Sequence, residues 1–226
     1  TGDTPRLGGA AVLDGLVDTY AGGSNGNADM DAVIAALGAM TTNQQVSDAV
    51  SQMLPLMTGG MAQFALANLH SLSRVVQAWQ ERNRGLSSGD DFVTNRNIWL
   101  KPLGAWADQK DRDGAFGYEA QTYGAMLGGD GELSAGSRLG AAFAYTQGQV
   151  DSNSGYQTAD VASYLAVLYG SRNLNENTEF TWRFDYAYNQ NEGDRYIAFV
   201  DRTARSNYDS DSFHLGARIG RTIPMS

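Results

Sequence analysis

Few residues in this chain have types and spacings that could do chemistry. Its only histidines are His70 and His214. With no cysteine to help them, two residues so far apart cannot build a four-ligand zinc centre. A Ser/His/Asp triad would have to draw on one of the two, and neither is accompanied by a strand-to-helix nucleophile elbow. Asp108, Asp111 and Asp113 with Gly114 resemble an acidic cation loop. They lack the remaining ligand spacing of a calcium hand and read as a solvated loop, as does Asp209-Ser210-Asp211. Gly128-Gly129-Asp130-Gly131 has no strand–helix context for phosphate and reads as the small-residue end of a strand. The expectation is a non-enzymatic chain with no catalytic, cofactor-binding or metal-ligating residues.

Composition narrows the class. The chain has 226 residues, with 16 Lys+Arg against 25 Asp+Glu and a net charge of −9. That balance argues against nucleic acid, whose binding needs basic surface to displace counterions. No stretch approaches 18 consecutive apolar residues and mean hydropathy is −0.36, so no transmembrane helix is expected. A membrane-spanning β-strand is not excluded, because it needs only about 9–11 residues with every second one apolar. The 27 Gly against 4 Pro, and the 11 Tyr, 8 Phe and 4 Trp, point the same way. Thr1-Gly2-Asp3 has neither the basic start nor the apolar core of a signal peptide, and is expected to be a cut inside a longer protein.

Hydrophobic periodicity changes near residue 90. Before it, four helices are expected. Leu13, Leu16 and Val17 mark the first; Asp29 is the expected N-cap of the second. The third starts near Gln44 and is interrupted by Pro55 and Gly59-Gly60. The fourth spans Met61 to Arg82, with a high polar share for a core helix. Residues 1–60 form a helical segment, 61–94 a helix and linker, and 95–226 a strand domain.

From residue 95 the period is 2. Six strands are expected, around 98–107, 122–130, 138–146, 160–170, 181–189 and 213–220, with no helix between them. Leu139, Phe143 and Tyr145 oppose Arg138, Gly140, Ala142 and Ala144; Trp182, Phe184, Tyr186 and Tyr188 oppose Thr181, Arg183 and Asp185; Phe213, Leu215 and Ile219 oppose His214 and Arg218. In the fourth strand Leu165, Val167 and Tyr169 are assigned outward. Short turns at 131–136 and 173–177 alternate with long polar loops at 108–121, 147–159 and 190–210. One face is large and apolar, the other small and polar. Together these features describe an antiparallel up-and-down transmembrane β-barrel in the bacterial outer membrane, an all-β membrane barrel with N-terminal helices. Trp99, Trp106, Tyr145, Tyr169 and Tyr188 are assigned to interfacial girdles.

The order of these features carries a resemblance. Gly22 to Val33, Ala35-Ala36-Leu37, the continuation Gln44 to Met57, a polar-faced helix, the strand opening Asn97-Ile98-Trp99, and the hairpin Gly124–Asp130 with Arg138–Tyr145 resemble the translocator domain of classical (type Va) autotransporters. The resemblance implies a 12-stranded barrel with the Met61–Arg82 helix in its lumen. It implies type V secretion, in which the barrel delivers its own N-terminal passenger outward. The implied partners are outer-membrane lipid, the passenger, the barrel-assembly machinery and periplasmic chaperones. On that arrangement Arg74, Gln77, Glu81 and Arg82 of the helix are expected to meet Arg138, Arg183, Asp185, His214 and Arg218 of the wall. Some members of the family cut the passenger free at a helix asparagine, for which Asn83 and Asn68 are available. The chain departs from the pattern in having six strands and no terminal aromatic residue, so it is expected to be a fragment. The alternatives are another outer-membrane barrel, such as a small porin or adhesin anchor, and a soluble β-rich binding module.

Overall fold

The computed structural model describes residues 11–15, 17, 23, 26–54, 57–82, 96–111 and 116–221, apart from the side chains of 57–66 and 82. After a helical stretch at 11–15 come α1 (Ala28–Gly38), α2 (Asn43–Met53) and α3 (Met57–Arg82). The cap of α1 is Asn27 rather than Asp29: its Oδ1 accepts the backbone N–H of Asp29 and Met30, leaving Asp29 in the first turn, where the helix dipole favours a carboxylate. Thr42 and Gln45 form a reciprocal capping box that starts α2. The glycine pair at 59–60 does not break α3, which begins at Met57. Two glycines cost a 26-residue helix only about 1 kcal/mol each against alanine, so its remaining turns carry it through.

Six strands follow: β1 (Arg96–Gln109), β2 (Tyr118–Ser134), β3 (Ser137–Ser152), β4 (Gln157–Asn175), β5 (Thr178–Ile197) and β6 (Arg202–Arg221). Each pairs antiparallel with the next in one sheet ordered β1 to β6, so among the described residues β1 and β6 are its edges. Two-residue turns at 135–136 and 176–177 close one end; Gly136 supplies the left-handed conformation (φ +73°) at the first. The expected long polar loops at 147–159 and 190–210 are instead mostly strand, and the connections shrink to 153–156 and to 198–201, where Ala198–Val200 makes a 3-10 turn. Polar sequence misled there because a strand outside lipid still satisfies its backbone through the ladder while its side chains face water.

Side chains alternate across this sheet as the period demands. Ile98, Leu100, Tyr123, Leu127, Phe143, Phe184, Phe213, Leu215 and Ile219 are exposed on the outer face. The fourth strand is the exception to the expected assignment. Leu165, Val167 and Tyr169 are buried inward, while Tyr164 and Leu168 face out. Both faces of β4 are apolar, so alternation alone could not distinguish them; register with β3 and β5 does. Trp99 and Tyr169 are likewise buried, not girdle residues.

The inner face packs on α3. Leu69, Leu72 and Val76 of the helix share a core with Trp99, Met126, Ala142, Ala144, Leu165, Val167, Tyr169 and Ala187. Small inner residues leave room for a helix about 39 Å long at 1.5 Å per residue. A separate cluster joins Leu13, Val33 and Val50 to Phe199 and Val200, seating the leading helices on the β5–β6 turn. Gln52 accepts the Ala198 N–H (2.9 Å) and Gln157 donates to the Leu54 carbonyl (3.1 Å), so α3 begins at that end of the sheet.

Candidate functional site

Most of the polar side chains described on α3 find partners on the wall, and the contacts run in order along it. Asn68 donates to Thr146 Oγ1 (3.0 Å) on a row that includes Ser163 and Asn189. Ser73 donates its hydroxyl to Asp185 Oδ2 (2.7 Å), and its carbonyl accepts from Arg183 Nη1 (2.8 Å). Trp79 donates to Asp130 Oδ2 (2.5 Å), Gln80 to the Gly170 carbonyl (3.2 Å), and Glu81 pairs with Arg218. From Asn68 to Glu81 the partners descend from mid-strand to the 135–136 and 176–177 turns. This order places the helix along the strands, with its C-terminal end at the turns.

Two buried carboxylates organise the interface. Asp185 has no exposed surface; its Oδ2 receives Ser73 and the His214 Nδ1–H (2.7 Å) and lies in ion-pair contact with Arg183 Nε (3.1 Å), while neither its Oδ1 nor that Nε has a hydrogen-bond partner. Asp130 receives Trp79, Arg138 (2.5 Å), Tyr169 (3.3 Å) and Asn97 (3.4 Å). Burying a charge without such partners is strongly unfavourable, so each acid demands its donors. The rings of Trp79 and Trp99 lie 5.5 Å apart. Trp99 occupies the space a side chain at Gly128 would need, since a Cβ there would fall 2.2 Å from its ring. Gly140 stands in the same relation to Tyr169, at 2.4 Å.

The expected site residues are distributed as follows. Arg183, Asp185 and His214 come together, and Glu81 meets Arg218. Arg138 turns to Asp130 of the wall itself, and Gln77 to Glu81 of its own helix. Arg74 is exposed, with no ion pair among the described residues. The Arg82 side chain and all of Asn83 lie outside the described residues. Sequence reasoning missed Ser73, Trp79 and Gln80 as wall contacts. Trp79 carried a usable signal, because a buried indole N–H needs an acceptor.

Ser73, Asp185 and His214 stand in the wrong order for nucleophilic catalysis. The carboxylate sits between serine and imidazole, so the imidazole is not hydrogen-bonded to the Ser73 hydroxyl. No group of three or more potential metal ligands occurs among the described residues. Asp111 is a loop tie: it accepts the Gly117 N–H (2.7 Å) and the Asn153 amide (3.0 Å), and these two donors hold its carboxyl below the ordinary carboxylate range. Asp113 lies outside the described residues. Asp211 accepts the Tyr186 hydroxyl (2.7 Å).

Comparison with known proteins supplies the rest. The family model described as "Autotransporter beta-domain" matches residues 98–226. An extracellular serine protease of Serratia marcescens is 29% identical over 68% of this chain, and outer membrane protein B of Rickettsia prowazekii (strain Madrid E) is 34% identical over 41%. The chain spans 15% of the length of the first and 6% of the second. Among solved structures, the translocator domain of autotransporter NalP from Neisseria meningitidis is similar in fold, with a TM-score of 0.50, 16% identity, and coverage of 70% of this chain and 55% of that one.

Proposed function

The chain belongs to the autotransporter β-domain family, and from that premise we propose that it is an outer-membrane translocator that carries its own N-terminal passenger to the cell surface while α3 plugs the lumen. The observation that carries this reading is the contrast between the two faces of one sheet. The outer face exposes Ile98, Leu100, Leu127, Phe143, Phe184, Phe213, Leu215 and Ile219, while the inner face buries two carboxylates against a polar-sided helix. Water would not tolerate the first arrangement on an isolated domain, and lipid would not tolerate the second.

The chain's residues act mechanically. Outer-face side chains hold the strands in lipid, and the ladder satisfies the backbone groups between paired strands that water would otherwise serve. On the inner face, Asn68, Ser73, Trp79, Gln80 and Glu81 fix the helix against the wall once export has ended. The preceding chain emerges at the end where α1 and α2 sit over the β5–β6 turn. Assembly by the barrel-assembly machinery with periplasmic chaperones belongs to the same reading. The test is surface protease accessibility of the passenger in cells making the full-length protein. It should be lost when Phe143 and Leu215 are replaced by Arg, and kept when the outward Gln147 is. Export that survives both lipid-face substitutions would overturn the assignment.

A further inference from the structure

The two histidines of the chain, 144 positions apart, meet. The ring of His70 on α3 lies edge to face with that of His214 on β6, centroids 5.6 Å apart. His214 Nδ1–H is committed to Asp185, and Arg183 Nη2 lies 3.5 Å from the same nitrogen. We propose that His70 and His214 form an acid-responsive catch, which lets the helix stay against the wall near neutral pH and weakens that seat when both imidazoles are protonated. This rests on the reading of α3 as a lumenal helix.

The charges around the pair set the direction. The helix contributes His70 and Arg74, one turn apart; β5 contributes Arg183 and Asp185; β6 contributes His214. The neighbouring β4 position, Val167, is uncharged, and Arg218 further along β6 is taken by Glu81. Among the described residues the guanidinium in ion-pair contact with Asp185 is that of Arg183 (3.1 Å), while Arg74 is exposed on the helix. Imidazole is the side chain whose ordinary charge change falls between pH 5 and 8. A first proton, on His214, sits beside Asp185, whose Oδ2 lies 2.7 Å from Nδ1 of that ring. A second, on His70, faces His214 across 5.6 Å and Arg74 one helical turn away. With both rings charged, two imidazoliums stand edge to face beside the Arg183–Asp185 pair. Moving the helix outward separates the two charged rings, while His214 and Arg183 keep Asp185 as their partner. Acid therefore favours the displaced helix over the seated one.

Two measurements on the full-length protein separate this catch from the reading beneath it. The chain lacks cysteine, so an Asn68→Cys/Thr146→Cys pair can report the seat directly in vesicles at pH 7.5. Efficient disulfide formation is expected, and its absence would overturn the lumenal helix itself. Ion conductance in planar bilayers is then compared at pH 7.5 and pH 5.5. The wild-type ratio of open time, acid over neutral, should be several-fold above one. In H70Q and in H214Q, each of which leaves a single imidazole, it should fall to near one. A pair that cross-links but shows no acid response, or an acid response retained in both variants, overturns the catch alone.

Discussion

The indole N–H of Trp79 donates to Oδ2 of Asp130 at 2.5 Å, joining the last turns of the helix to the wall just above the 135–136 turn. Asp130 also carries Arg138, Tyr169 and Asn97, so the bond inserts the helix into a network the wall has already built. W79F keeps most of the ring packing against Trp99 and removes the donor. It should weaken helix docking by about 1–3 kcal/mol, the cost of leaving a buried acceptor short. Raised conductance in planar bilayers and faster trypsin cleavage of the helix are the expected readouts; values equal to wild type would exclude a locking role.

Asp185 is the more severe test of the same interface. Asp185→Ala leaves Arg183 buried without its carboxylate and removes the acceptor of Ser73 and His214. Breaking a buried pair from one side costs about 3–5 kcal/mol. The urea midpoint of the protein folded in detergent should drop accordingly, and Asp185→Asn should recover part of the loss by keeping an acceptor for Ser73.

The outer face fixes the depth of the protein in the membrane. Tyr145, Tyr164 and Tyr188 are direct register partners, with adjacent ring centroids 5.1 and 6.4 Å apart, and Gln147 and Gln190 follow on the outer face beyond them. A tyrosine row followed by glutamines is the pattern expected at a lipid boundary. An arginine at Phe184, four residues along its strand from Tyr188, should lower folding stability in vesicles by about 2–4 kcal/mol, whereas one at Gln147 should cost about 0–1 kcal/mol. Equal costs would move the boundary.

The glycine sockets predict a paired effect. G128A puts a methyl 2.2 Å from the Trp99 ring and should impair folding, read as loss of heat-modifiable migration on gels. Adding W99A should restore part of it, because the clash requires both residues. Two independent losses that simply add would show that the socket is not the cause.

Much of the architecture was legible in the residues. Period 2 with Phe143 and Phe184 against Ala142 and Asp185 specifies strands with one apolar and one polar face, and period 3.6 before residue 83 specifies helices, because each backbone geometry repeats its side-chain direction at a fixed interval. The strand count and the six-strand meander followed. Strand lengths did not, since polar residues such as Gln149 and Asn191 extend a ladder as well as apolar ones do. Nor did the inward side of β4, whose two faces are both apolar. The partners across the helix–wall interface were least legible. Ser73 meets Asp185 and His70 meets His214 only because five antiparallel registers and one helix packing carry positions more than 110 residues apart into contact. Local sequence determines what each segment can hide from water, whereas which buried group answers which is decided by the registers that bring them together.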